Sequence, residues 1–387
     1  MTRWRRRPDL VVAPLADHLL VHDPRNRQVH ALNPTASLIW AAVDEAGEVA
    51  DTTEAVAHDV GLPPDHIGDH VARAMEDLAA LDLLVDADLP PDPPAPSPSD
   101  PTVGRPAATP AGVDDLHVVA LDQVTRIVAP DEARRPLEIV LAATATAAPA
   151  DHEMRIEATE IGTWALFDDG EVAHQSGGLD AVLGHVLWRI NHRAVSRSGG
   201  HLVLHAGAVA GPGGAVIIAG EPDAGKSTLT AAAVRRGAAY LSDEAVRLEA
   251  GLTISPYPKP VTLDVASLDL LGLGSMPDDP AVLAGPRSIR HLDPRALGTV
   301  ATTPVPVAAV VLPDRSIRGD LTEPLGPVEA ALALAGLTFD LPGGGQRALD
   351  DLVGLVTACP VRRLPTGDLG AAAATVVDLA ARPRPGA

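Results

Sequence analysis

Residues 215–236 leave the chain little conformational freedom. An all-apolar run, Ala-Val-Ile-Ile-Ala at 215–219, is followed by Gly220-Glu-Pro-Asp-Ala-Gly-Lys-Ser-Thr and then by an alanine-rich segment reaching Arg236. Strand, Gly-x-x-x-x-Gly-Lys-Ser and helix, in that order, are the context of a phosphate-binding loop. Gly220 and Gly225 let the backbone curl until successive N–H groups converge on phosphate oxygens, with Asp223 and Ala224 between them. The helix starting behind Gly225 adds the positive end of its dipole. Lys226 then reaches the β- and γ-phosphates, Ser227 offers its hydroxyl to Mg²⁺, and Thr228 sits beside them in the first turn. The expected cofactors are ATP and Mg²⁺, with GTP and pyrophosphate left open as donors.

Lysine usage sharpens this reading. The chain has 30 basic residues, and only Lys226 and Lys259 are lysine. Where arginine is the default cation, a lysine marks a place that wants a compact ammonium. Lys259 lies between Pro258 and Pro260 in an expected rigid loop, where it would contact a phosphate or the acceptor. Arg287 and Arg290 are candidates to close over the phosphates.

About fifteen residues after the loop, Tyr240-Leu-Ser-Asp-Glu reads as a short strand ending in paired carboxylates, Asp243 and Glu244. A strand that delivers acids beside a phosphate loop holds Mg²⁺ or takes the proton of an attacking hydroxyl. Both roles stay open for Asp243. His205, on the apolar strand at 202–210, is either a core residue or a neighbour of the transferred phosphate.

Nine prolines between residues 90 and 110 cannot pack a core and predict an extended linker. Four segments follow: a domain at 1–89, the linker at 90–111, an α+β lead-in at 112–200 and the phosphate-binding domain at 201–387. The lead-in reads as strands near 116–121, 137–142 and 154–157, then a helix at 179–197. Three short strands at 9–14, 18–22 and 28–32 open the first domain. Asn33 followed by Pro34 then signals a helix start, and helices are expected at 51–60 and 64–82 before a closing strand at 83–85. The basic cluster at 3–7 reads as a solvated terminus.

The formal charge of −21 argues against nucleic acid as the ligand. The apolar runs are too short to span a bilayer, and no secretion signal opens the chain. A single cysteine rules out a disulfide framework and a cysteine-built zinc site. A cytoplasmic protein with no membrane partner is expected.

Two resemblances extend the reading. His30-Ala-Leu-Asn-Pro-Thr-Ala-Ser-Leu-Ile-Trp, with Leu78-Ala-Ala-Leu-Asp-Leu-Leu, resembles the PqqD-like recognition domains that bind leader peptides of ribosomally made, modified peptides. The resemblance implies a small winged helix of three strands and three helices. The leader would add a strand beside Val29, His30 and Ala31 and lie against Val71 and Met75. A DNA-binding or merely dimerising winged helix is the alternative. Leu204-His-Ala-Gly, the phosphate loop and Tyr240-Leu-Ser-Asp-Glu-Ala-Val resemble the core of the HPr kinase/phosphorylase family. That likeness implies a fold like phosphoenolpyruvate carboxykinase, Asp243 as base toward a seryl hydroxyl, His205 near the phosphate, and assembly into homo-oligomers. Glu244 departs from the family's Asp-Asp pair, and the later Glu-x-Arg-Gly-type signature is not recognisable, which puts HPr itself in doubt as acceptor.

Together the resemblances imply an α/β enzyme, a serine/threonine kinase acting on a precursor peptide whose leader is held by the first domain. A kinase for a folded carrier protein and a non-catalytic, nucleotide-switched peptide binder are the alternatives.

Overall fold

The computed structural model describes residues 3–43, 47–88, 115–160, 162–274, 282–285, 288–319 and 322–383. The expected linker at 90–111 and Arg287 lie outside the described residues.

The chain opens with strands β1 (Trp4–Arg6), β2 (Val11–Leu15), β3 (His18–Asp23) and β4 (Gln28–Leu32). Helices α1 (Pro34–Ala42), α2 (Val49–Val60) and α3 (Pro64–Ala80) follow, and β5 (Leu84–Asp86) closes the series. After the gap come β6 (Leu116–Ala120), β7 (Gln123–Val128), α4 (Asp131–Val140), β8 (His152–Ala158), β9 (Trp164–Asp168), β10 (Glu171–Ser176) and α5 (Leu179–Ser196). The phosphate-loop region supplies β11 (Val203–Gly211), β12 (Gly214–Ala219), α6 (Lys226–Arg235), β13 (Ala239–Ser242), β14 (Ala245–Glu249) and β15 (Thr253–Ile254). Next are β16 (Val261–Asp264), α7 (Val265–Leu270), β17 (Val282–Ala284), β18 (Ile289–Leu292), β19 (Val305–Asp314) and β20 (Glu323–Pro324). The chain ends with α8 (Pro327–Ala335), α9 (Leu341–Ala358), β21 (Val361–Pro365) and α10 (Leu369–Ala381).

The class is mixed α/β, and the chain divides into two compact units. One holds the N-terminal residues with Gly326–Gly336 and Leu341–Thr357; the other holds the rest of the described chain. The expected boundary at 201 therefore does not contain everything that follows it: α8 and α9 pack with the N-terminal unit.

In that unit β2, β3 and β4 form an antiparallel sheet with β4 at one edge. Asn33 caps α1 as its position predicts: its side chain accepts from the Ala36 N–H at 2.9 Å. Val21 and Leu32 of the sheet pack with Ile39 and Trp40 of α1 and with Val71, Met75 and Leu78 of α3. Leu20 and Ala13, paired on the other face, are buried too. Cover there comes from the end of the chain, where α8 packs on β4 and Gln346 of α9 donates to the Val12 carbonyl at 2.9 Å.

The 3–7 cluster is not a solvated terminus. Trp4–Arg6 pair antiparallel with Leu84–Asp86, and Arg7 is only 3% exposed. Its guanidinium bonds Asp9 at 2.8 Å, Asp23 and Asp82. Five donors in a fixed fork let one arginine tie three carboxylates, and that pull draws the terminus into the fold.

In the larger unit a five-stranded sheet runs β10-β9-β8-β7-β6. The strand expected at 137–142 is instead α4 with a turn of 3₁₀ helix behind it. Ala133, Leu137 and Val140 recur at helical spacing and are fully buried, while Arg134 bonds Asp131 and Glu138 along the outer face. Helix α5 is fastened to this sheet by Arg189 and Arg193, which both bond the Asp168 carboxylate at the end of β9. The second sheet closes on itself: β12 pairs β11, β11 pairs β14, β14 pairs β15, β15 pairs β19, and β19 returns to β12. Apolar residues on every position of β12 fit a strand buried on both faces. Strands β16, β18 and β17 form a third, small sheet.

Arg7→Ala should destabilise the N-terminal unit by about 3–5 kcal/mol, because it strands the fully buried Asp23 carboxylate. Urea unfolding followed by tryptophan fluorescence, to which Trp4 and Trp40 of this unit contribute, measures the loss.

Candidate functional site

The phosphate loop joins β12 to α6. Gly225 precedes the helix with φ +87°, a left-handed conformation that other residues adopt only under strain. A Cβ on Gly220 would sit 3.2 Å from that of Ala224, so the loop closes tightly there. Asp223 also has positive φ, at +63°. No side chain caps α6, so its first N–H groups face the loop without a protein partner from that source. Lys226 is buried at 6% exposure and its ammonium donates to the Glu221 carbonyl at 2.9 Å. Burial pulls its pKa below the ordinary lysine value, against the nearby carboxylates of Glu221 and Glu244. A phosphate anion would supply what this buried cation lacks. Thr228, expected beside the nucleotide, instead meets the Ser267 hydroxyl at 2.8 Å. Ser227 makes only a long 3.5 Å bond to the Asp243 carbonyl, which leaves its hydroxyl oxygen open.

Asp243 and Glu244 stand in the turn between β13 and β14. Asp243 is 2% exposed, so its charge must be matched within the protein. Lys259 does this: its ammonium lies 2.9 Å from Asp243 Oδ1, 3.1 Å from Glu244 Oε2 and 3.0 Å from the Pro260 carbonyl. Burial works against the Lys259 charge, but the two carboxylates outweigh it and hold its pKa above the ordinary range. All three of its N–H donors are engaged, so Lys259 offsets one of the two carboxylate charges and has no donor left for a phosphate or an acceptor. The Tyr240 hydroxyl donates to Asp243 Oδ1 at 2.8 Å. Burial and the Asp243 charge keep that phenol protonated far above its usual pKa. Asp243 Oδ2 accepts only the Thr262 N–H, at 3.2 Å. One lone pair on Oδ2 therefore remains for another donor.

His205 lies on β11, within the electrostatic reach of Lys226, Glu244 and Asp243. Burial first, and the Lys226 charge second, lower its pKa, so it is a neutral imidazole at pH 7. The segment at 337–340 positions it: the His205 N–H donates to the Leu337 carbonyl at 2.7 Å, and the Phe339 ring lies 5.3 Å away.

Other expected residues fall elsewhere. Arg290 bonds its neighbour's Ile289 carbonyl and alternates along β18 with His291, which puts it on the opposite face from His291. Residues not singled out in the sequence complete the site: Tyr240, Tyr257, Thr262 and His291. Tyr240 and Tyr257 are the only tyrosines of the chain, and that rarity was the available signal. Among the described residues no cluster of three or more His, Cys, Asp or Glu side chains forms a metal cage, and no helix is long and apolar enough to cross a membrane.

Residues 18–84 match the family model of PqqD, coenzyme PQQ synthesis protein D. The N-terminal unit carries a PqqD domain. Its edge strand β4 presents Val29, His30 and Ala31 half-buried, while Val71 and Met75 of α3 are closed into the PqqD core at 1% and 0% exposure. No curated protein matches the chain. Among solved structures, the HPr(Ser) kinase/phosphatase from Coxiella burnetii is similar at 16% identity over 46% of this chain and 93% of that one, with a TM-score of 0.26. A likeness that loose carries no argument about activity.

One consequence concerns acid. His291, buried and near Lys259, has its pKa lowered to about 4, against about 6.5 in an unfolded chain. Between those values the unfolded chain binds more protons than the folded one, so stability falls as pH drops from 6.5 to 4. The loss attributable to this group approaches roughly 3 kcal/mol. Chemical denaturation at pH 7 and pH 4.5 should show a smaller acid-induced loss in His291→Gln than in the parent protein.

Proposed function

We infer that this protein is an ATP-dependent kinase that phosphorylates a Ser or Thr hydroxyl of a ribosomally made precursor peptide in the cytoplasm. The observation that carries this reading is the pairing of an uncapped, lysine-bearing helix start with a buried carboxylate that keeps one open lone pair.

The loop fits a triphosphate. Its tight Gly220–Ala224 turn, the bare N–H groups of α6 and the charge-starved Lys226 are each completed by phosphate oxygens. Ser227 and the partly exposed Glu244 would hold Mg²⁺, with the nucleotide supplying the remaining oxygens. Asp243 suits that role less well, because it is buried and Tyr240 and Thr262 as well as Lys259 already hold its oxygens, whereas the Glu244 side chain is 39% exposed. Bound Mg²⁺-ATP supplies the phosphoryl group and offsets its charge. Asp243 Oδ2 orients the acceptor hydroxyl and takes its proton, and Lys259 and Tyr240 fix that carboxylate in place through Oδ1. His205 stays neutral beside the phosphate and can hydrogen-bond it without adding charge.

The PqqD domain supports a peptide acceptor. A leader would extend the sheet along β4 and meet Val29–Ala31, with main-chain hydrogen bonds giving the affinity. The winged-helix form of the first domain and homo-oligomer assembly belong to this same reading.

Mass spectrometry of the protein with Mg²⁺-ATP and the short peptide encoded beside its gene tests it. A gain of one phosphate that disappears when the leader is removed is expected; nucleotide binding with no phosphorylated peptide would overturn it. Lys226→Ala should abolish transfer and leave leader binding within about twofold. Asp243→Asn should lower kcat by 10²-fold or more, in keeping with loss of a general base, with nucleotide affinity little changed. A collapse of affinity instead would make Asp243 a metal ligand.

A further inference from the structure

A cavity of about 200 Å³ adjoins the acid pair, and the chemistry described so far does not use it. One wall is a single face of α5: Gly184, Leu187, Trp188 and Asn191 recur at i, i+3, i+4 and i+7. Leu141 and Tyr257 add apolar surface, and Glu244, Lys259, Thr262 and His291 form the end nearest Asp243.

Three features say what the cavity accepts. Asn191 is 9% exposed, and its buried Oδ1 has no hydrogen-bond partner. An orphaned buried acceptor is costly, and a ligand N–H or O–H would satisfy it. Second, the lining away from that end is apolar, Leu141, Leu187, Ile190 and Tyr257, so a charged group entering there would lose its water without gaining a partner. Third, the volume is below the 300–1,000 Å³ usual for small-molecule pockets, and it suits one or two side chains. At the mouth Trp188 is 52% exposed, held between the rings of His185 and His192 at 5.1 and 5.0 Å. An exposed indole at a cavity mouth offers a flat apolar seat to an extended peptide.

We propose that this cavity is the acceptor subsite: it takes an uncharged, bulky apolar side chain next to the hydroxyl to be phosphorylated, with Asn191 Oδ1 accepting a backbone N–H of the same peptide. The proposal deepens the kinase reading and rests on it for the identity of the reacting hydroxyl. The cavity and the open lone pair of Asp243 are joined through Thr262, which lines the cavity and whose N–H donates to that same Oδ2. A hydroxyl directed at Oδ2 thus leaves its neighbouring side chain beside the cavity.

The test uses the full-length protein and a set of leader-bearing peptides that differ only at the residue beside the acceptor hydroxyl: Leu, Ala, Asp or Lys. Binding is read without nucleotide from Trp188 fluorescence, with Trp188→Phe as the blank, and phosphate transfer is read separately. The Leu peptide should bind the subsite at least tenfold more tightly than the Ala peptide, and the Asp and Lys peptides more weakly still. Leu187→Trp, which fills the cavity, should erase the preference for Leu over Ala, and Asn191→Leu should weaken all four peptides alike. Peptides that bind equally well whatever the neighbour would overturn the subsite. So would a fall in nucleotide affinity in Leu187→Trp, measured by calorimetry, because the cavity would then hold the nucleotide's base. Selective binding with no transfer would uphold the subsite and defeat the kinase reading; transfer without selectivity would do the reverse.

Discussion

Burying the Asp243 carboxylate is the constraint on which the larger unit depends. A charge at 2% exposure persists only if the protein replaces the water it has lost. Lys259, Tyr240 and the Thr262 amide do that from β13, the loop before β16, and β16 itself. The same ammonium also holds Glu244. Satisfying the acid pair in this way draws residues 259–262 against the end of β13. It also fixes what remains available for chemistry, one lone pair on Oδ2, and brings the β16–β18 sheet against the end of the α5 cavity.

A comparable device anchors the N-terminal unit. Arg7 ties Asp9, Asp23 and Asp82 and so secures the short β1–β5 ladder that flanks the PqqD sheet. That sheet is completed on its second face by helices lying more than two hundred residues further along the chain. Between those helices, residues 337–340 belong to the other unit and hold His205 through its backbone.

Several features were legible in the sequence because their causes are local. The phosphate loop needs two glycines, a lysine and a hydroxyl at fixed spacing, and that spacing sets its backbone path. Asn33-Pro34 announces a helix start because both residues act within one turn. The scarcity of lysine pointed to Lys226 and Lys259, and both are buried beside the phosphate loop and the acid pair. Local reading failed where two local signals competed. The apolar residues at 137–142 suit a strand or a buried helix, and the charged pattern of Arg134 with Asp131 and Glu138 decided for helix. The arginines at 3–7 resemble a solvated tail until Arg7 is matched with acids 16 and 75 residues away.

The sequence alone determined the backbone path of the Gly220–Ser227 loop, the extent of several helices and the PqqD-like pattern, since torsional preference, capping and periodicity act over about ten residues. Tertiary structure decided the role of Lys259, the protonation of Tyr240, the open lone pair on Asp243 and the cavity along α5. It also decided which unit α8 and α9 belong to. These depend on desolvation and on partners that meet only once the sheets have paired. No residue carries in its own neighbourhood the information of which distant group will neutralise it.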